Sequence, residues 1–160
     1  MEIDARRKLE KDLYRNFGFE PTADQQTALR ELSSYCLSLN PNEVFLLKGY
    51  AGTGKTTLIK TLVKTLPAYK RKTMLLAPTG RAAKVMTQYS GKAAYTIHKY
   101  IYRPKRDTRG MTMFNLRENK ATNTIYIVDE ASMINDAGGD SSLASGSLLH
   151  DLLTFVKMGV

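Results

Sequence analysis

Three features of the 160-residue sequence predict an α/β fold in which a parallel sheet is covered by helices. Short apolar runs alternate with segments of helical period, the order expected when strands are joined by crossover helices. Two runs, "KTMLLAP" at 72–78 and "TIYIVDE" at 124–130, read as strands buried on both faces. A third, Val44–Lys48, leads straight into a glycine-spaced loop.

The elements follow in chain order. Residues 3–17 set Ile3, Leu9, Leu13 and Phe17 on one side of a helix that Gly18 stops. A second helix starts in "PTADQQ", where Thr22 as N-cap and Gln25 three residues on make a capping-box pattern. Leu29, Leu32, Cys36 and Leu39 continue its apolar side, and "NPN" at 40–42 ends it. After the Val44–Lys48 strand and its loop, a helix over about 55–66 is closed by Pro67. "KTMLLAP" and the helix "TGRAAKVMTQYS" come next, the helix stopping near Gly91. "MTMFNLRE" and "TNTIYIVDE" around "NKA" predict a hairpin whose second arm becomes a buried strand ending at Asp129. Residues 135–147, rich in Gly, Ser and Asp, predict a mobile loop before a helix resumes over Leu148–Val156. The chain thus reads as N-terminal helices over 1–42 and an α/β domain over 43–160, with a basic insertion at about 92–120.

Composition narrows the function classes. No apolar run is long enough to cross a bilayer, so the expectation is a cytoplasmic protein without membrane contact, its oligomeric state open. Cys36, the single cysteine, sits among leucines at helical spacing and reads as a small core residue. The formal net charge of +9 favours a polyanionic partner. Eight Lys or Arg between Lys92 and Lys120 oppose only Asp107 and Glu118, and Tyr95, Tyr100, Tyr102 and Phe114 are interleaved with them. Cations for a backbone and flat rings for bases suit a single nucleic-acid strand, whereas a solvated basic loop over buried tyrosines has the same composition.

Gly49, Tyr50, Ala51, Gly52, Thr53, Gly54, Lys55 and Thr56 match G-x-x-x-x-G-K-[ST] in full, and Thr57 continues the segment. The glycines let backbone N–H groups face phosphate oxygens, and the helix that follows directs its positive end to the same place. Lys55 adds a cation for the β and γ phosphates, and the Thr56 hydroxyl is a ligand for Mg²⁺. Asp129 and Glu130 emerge at the end of a buried strand, where ligands sit in open α/β sheets. Asp129 is the predicted metal partner, through water, and Glu130 the group that orients or deprotonates an attacking water. Two adjacent acids at that position also fit a helix cap before "ASM".

In order, "PTADQQTALREL", "GYAGTGKTT", "LLAPTGRAAKVM", "TIHKYIY" and "IYIVDEASMI" resemble the first motor domain of the RecD-like branch of superfamily 1B DNA helicases, over roughly residues 20–134. The resemblance implies a RecA-like P-loop NTPase fold, ATP and Mg²⁺ as cofactors, and movement along single-stranded DNA in the 5′ to 3′ direction. It implies that Gln25 reads the adenine, a role that competes with its capping-box role. It places Pro78, Thr79, Gly80, Arg81 and Lys84 against single-stranded DNA, which agrees with a helix N-terminus and two cations on one side. Thr96 and His98 match its "TIH" and are implied to touch the strand, although a lone His among aromatics also fits simple packing. The chain ends before the family's next core strand and its second motor domain. The sheet is therefore expected to be incomplete, and the arginines that the second domain supplies to the γ-phosphate are expected to be missing. A non-motor P-loop switch that binds nucleotide but not DNA is the alternative class.

Overall fold

The computed structural model describes residues 1–38, 40–135 and 139–159. It has two units, Met1–Thr73 with Tyr89–Gly91, and Met74–Gln88 with Lys92–Val160.

The first unit is a helical cluster. Helix α1 (Glu2–Phe17) buries Leu9, Leu13 and Phe17, one residue per turn, and ends at Gly18 in the left-handed conformation. Ile3, expected on the same side, is 68% exposed, because that stripe meets its neighbours only from Leu9 onward. Helix α2 (Ala23–Leu37) begins with the complete capping box and buries Leu29, Leu32, Ser33 and Cys36. Leu39, assigned to this face from the sequence, lies outside the described residues. Helix α3 (Lys55–Thr65) buries Leu58, Ile59, Thr61, Leu62 and Thr65 and runs into a short 3-10 turn, Leu66–Tyr69. Helix α1 packs on both α2 and α3. Two polar ties add to this packing, Asn16 Nδ2 to Thr65 Oγ1 at 3.0 Å and Tyr69 OH to Asp12 Oδ2 at 2.5 Å.

Residues 43–50 are not a strand, contrary to the expectation for Val44–Lys48. A strand exists through its ladder, and no ladder is assigned to this segment among the described residues. Val44 and Leu46 are each 68% exposed, while Phe45 turns back to set its ring 5.5 Å from that of Tyr35.

The sheet falls in the second unit apart from Lys72 and Thr73, where its first strand begins. Strand β1 (Lys72–Ala77) lies between β2 (Ala94–Thr96) and β5 (Thr124–Val128). β1 and β2 run parallel with Leu75 opposite Ala94, Leu76 opposite Tyr95 and Ala77 opposite Thr96. The Asp129 N–H reaches the Leu76 carbonyl at 3.1 Å, so β5 ends level with the end of β1, as a parallel neighbour must. Leu75, Leu76 and Ala77 are fully buried, which is why this run is apolar at consecutive positions. The fold is the predicted α/β arrangement, a parallel sheet flanked by helices. Its helices are α4 (Gly80–Ser90), the short α5 (Ile97–Ile101) and α6 (Leu148–Met158), the last packing on α5.

The hairpin is not where the sequence suggested. Strand β3 (Tyr102–Arg106) pairs antiparallel with β4 (Thr112–Leu116), Tyr102 opposite Leu116 and Arg106 opposite Thr112. The turn belongs to Asp107–Gly110, where Asp107 Oδ1 accepts the N–H groups of Arg109 and Met111, both at 2.9 Å, and Gly110 has φ 80°. "NKA" is an anchor instead of a turn. The buried Asn119 donates to Tyr126 OH at 2.8 Å and to the Phe155 carbonyl at 2.9 Å, and accepts from Ala121 N–H. The core gathers Leu76, Ile97, Ile101, Tyr102, Leu143, Leu148, Leu152 and Phe155, with Tyr100, Phe114 and Tyr126 against it. Within it Asp151, 2% exposed, accepts from Tyr102 OH at 2.6 Å and from Ser145 N–H at 3.3 Å.

The segment expected to be mobile carries hydrogen bonds over its described part, with Asp140 N–H on the Gly146 carbonyl at 2.8 Å and Phe114 N–H on the Ser142 carbonyl at 2.8 Å. Residues 136–138 of it lie outside the described residues.

Two outcomes check the core of the first unit. Leu13→Ala should lower unfolding stability by about 2–5 kcal/mol, and Ile3→Ala by no more than about 0.5 kcal/mol, in urea titrations. Burial pushes the Cys36 thiol up to about 12, opposed by Arg71, so the folded protein holds a neutral thiol at pH 8. A disulfide reagent should therefore modify Cys36 only after urea is added.

Candidate functional site

The glycine-spaced loop is part of the first unit. Gly54 caps α3 at φ 94°, a conformation open to glycine and strained for other residues, and α3 has no side-chain cap. The first N–H groups of α3 therefore point out of the helix without an internal partner, which gives its start a positive potential. Inside the loop, Thr53 Oγ1 donates to the Tyr50 carbonyl at 2.7 Å, and the Lys55 ammonium donates to the Gly49 carbonyl. Gly49 is needed for contact as well as flexibility, since a Cβ there would lie 2.6 Å from Thr53 Oγ1. Thr56 is exposed, Lys55 and Thr57 half-buried, and Ala51, Gly52 and Thr53 at the surface.

Gln25 is committed on two sides. Its Oε1 accepts from the Thr22 N–H at 2.9 Å, completing the capping box, and its Nε2 donates to the Thr53 carbonyl at 2.9 Å. Gln26, one residue on, is exposed and donates to the Pro21 carbonyl.

The second unit brings the other candidates to one end of its sheet. Strands β2, β1 and β5 end at Thr96, Ala77 and Val128, so Thr96 closes β2 while Pro78–Arg81 and Asp129–Glu130 follow the adjacent ends of β1 and β5. Thr79 Oγ1 accepts the Ala82 N–H at 3.2 Å, which makes it the cap of α4. Arg81 and Lys84, three apart on α4, are both exposed, so two cations share a face beside that cap. Thr96 caps α5 by accepting the Lys99 N–H at 3.2 Å. His98 is exposed, its ring 5.7 Å from that of Tyr102.

Asp129 Oδ1 accepts the Glu130 N–H at 2.8 Å, and Glu130 adopts the left-handed conformation at φ 55°. Glu130 precedes the 3-10 turn Ala131–Met133 without capping it through its side chain, and its carboxylate is exposed. Asp140 is held below the usual carboxylate range by hydrogen bonds from Ser142 and, to a lesser degree, by His98.

The tyrosines separate. Tyr102 is buried and Tyr100 packs edge-on against Tyr126 and Phe155, whereas Tyr95 is 38% exposed and stacks on Tyr100 with ring centroids 6.1 Å apart. The exposed cations Arg103, Lys105, Arg106 and Arg109 prove to ride on the β3–β4 hairpin. The "DTRG" turn was the sequence signal that could have located it.

Comparison with known proteins adds the lineage. A family model described as an AAA domain matches residues 20–144. The chain is 34% identical over 131 residues to an uncharacterized protein of Methanocaldococcus jannaschii, an alignment covering 75% of this chain and 11% of that protein. It is 32% identical over 108 residues to the ATP-dependent RecD2 DNA helicase of Deinococcus radiodurans, covering 67% of this chain and 14% of the helicase. With the ATP-dependent DNA helicase dda of Enterobacteria phage T4 it shares 36% identity over 90 residues, 54% of this chain and 20% of that one. The chain therefore spans only about a tenth to a fifth of the length of these relatives. No solved structure matches it. With a phosphate-type loop at the start of α3, an Asp-Glu pair at a strand end of a parallel sheet and this family match, the chain belongs to the AAA-domain family as a superfamily 1B helicase-like N-terminal motor domain.

Proposed function

We propose that this domain binds ATP with Mg²⁺ and grips single-stranded DNA as part of a 5′ to 3′ DNA helicase motor. The observation that carries the reading is the shared sheet end. The metal-type acid and the DNA-type segment follow neighbouring strands, since Asp129 N–H bonds to Leu76, three residues before Thr79. A change at one strand end is therefore felt at the other through a single ladder, which is what a motor coupling nucleotide to grip requires.

In this reading the amides of Gly49, Ala51, Gly52, Thr53 and Gly54, with those of Lys55, Thr56 and Thr57, surround the polyphosphate, for which Lys55 leaves the Gly49 carbonyl and the Thr53 N–H leaves the Tyr50 carbonyl. The fit to a hard cation rests on donor chemistry taken unit by unit, an exposed Thr56 hydroxyl in the first and the Asp129 carboxylate in the second. Among the described residues no three His, Cys, Asp or Glu side chains gather into a cage, and Mg²⁺ is ordinarily held by one or two carboxylates with substrate oxygens and water. When bound, the ion supplies charge neutralisation at the phosphates. Glu130, exposed and tied by no cap, orients or deprotonates the attacking water. Gln25 keeps one N–H and one lone pair for an adenine edge.

DNA lies across Pro78, Thr79, Gly80, Arg81 and Lys84, with Thr96 and His98 beside them. Backbone amides at the start of α4 and the two cations take phosphates, and the exposed ring of Tyr95 offers a base a stacking surface. The relatives named above as ATP-dependent DNA helicases support a DNA-binding reading. Among the described residues no helix is long and apolar enough to cross a membrane.

Lys55→Ala should weaken Mg-ATP binding by about 10- to 100-fold in calorimetric titration, the loss of one charged hydrogen-bond donor. Oligo-dT binding should fall with rising salt, and Arg81→Ala should reduce that log-log slope by about 0.7, the share of one phosphate contact on a single strand. Binding of ATP without any affinity for oligo-dT at low salt would favour a nucleotide switch instead.

A further inference from the structure

We propose that Gln25 is a positioning residue of the phosphate loop, orienting the Gly54 N–H toward the polyphosphate whether or not a base is present. This rests on reading the loop as a nucleotide site, and it goes beyond the adenine contact.

The Thr53 carbonyl and the Gly54 N–H are the two ends of one planar peptide and point in opposite directions. Gln25 Nε2 holds that carbonyl at 2.9 Å, so the Gly54 N–H is turned away from Gln25. The contact is close enough that a Cβ on Gly54 would lie 2.6 Å from Gln25 Nε2. Glycine at φ 94° gives the peptide little steric resistance to flipping, and a flipped peptide would present a carbonyl oxygen to the phosphates in place of a donor. The amide that prevents the flip is itself fixed, because its Oε1 is held by the Thr22 N–H at the start of α2. Helix α2 in turn buries Leu29, Leu32 and Cys36, so the loop is referenced to a packed helix and not to solvent. A side-chain amide has two donors and two lone pairs, and these bonds use one of each. Base contact and loop positioning are therefore compatible in one side chain.

The experiment measures binding of Mg²⁺-tripolyphosphate, which has no base, beside Mg-ATP. Gln25→Met keeps the length of the side chain and removes the amide. Tripolyphosphate affinity should fall about fivefold or more, the value of one hydrogen bond of about 1 kcal/mol. Thr22→Ala removes the hydroxyl half of the capping box and leaves the Gln25 amide in place, and it should leave tripolyphosphate affinity within about twofold. Unchanged tripolyphosphate affinity in Gln25→Met, with ATP weakened, would overturn the proposal and leave Gln25 as a base reader alone. Equal losses in both variants would also overturn it, assigning the effect to the helix start. Failure of the unaltered protein to bind either ligand would instead remove the nucleotide reading on which the proposal stands. Should Gln25→Met not fold, the unaltered protein answers the same question by NMR. The Gln25 side-chain amide signal should move on addition of Mg²⁺-tripolyphosphate, and an unmoved signal with the ligand bound would contradict the proposal.

Discussion

An α-helix that starts without a side-chain cap leaves its first amides in search of acceptors, and α3 starts this way at Gly54. The loop before it satisfies itself only in part. Lys55 rests on Gly49, Thr53 on Tyr50, and Gln25 on Thr53, all bonds to carbonyl oxygens. The carbonyls of Gly49, Tyr50 and Thr53 are thereby occupied while the helix-start amides stay directed outward, a separation of sign that suits an anion. The apolar side of α3 packs on α1, so this donor set is carried by a helix anchored along one face.

The second unit obeys a different constraint. A parallel sheet brings all its strand ends to one edge, so β2, β1 and β5 deliver a threonine, a capped helix start and an acidic pair side by side. Beside the ladder that sets its register, the sheet carries an aromatic cluster. Tyr100, Tyr126 and Phe155 meet edge to face, and Tyr102 ties its hydroxyl to the buried Asp151. The basic hairpin springs from Tyr102, so its base is fixed in the core while its cations stand in solvent.

Local patterns were legible in the sequence wherever one residue's chemistry decides them. Thr22 with Gln25 announces a capping box, consecutive apolar residues announce β1, and glycines around Lys55 announce the loop. What stayed hidden depended on partners distant in the chain. Val44–Lys48 has the composition of a strand, yet strand character is conferred by a neighbour's ladder. The hairpin was misplaced because Asn119 looks like a turn residue until Tyr126 and Phe155 are seen to hold its amide. Cations flank Tyr95, Tyr100 and Tyr102 alike, so the sequence leaves open which are buried, and only packing shows Tyr102 in the core and Tyr95 exposed. Among the site residues, the motif positions could be read directly. The link from Gln25 to Thr53 spans 28 positions and had no sequence signal.

The proposed function depends on Asp129 acting on a divalent ion that accompanies ATP. Titrating ATP into the protein with and without Mg²⁺, for the unaltered chain and for Asp129→Asn, tests it most directly. The account predicts that Mg²⁺ strengthens ATP binding in the unaltered protein and that this gain is largely lost in Asp129→Asn, with metal-free affinity preserved. An undiminished Mg²⁺ gain in Asp129→Asn would contradict it.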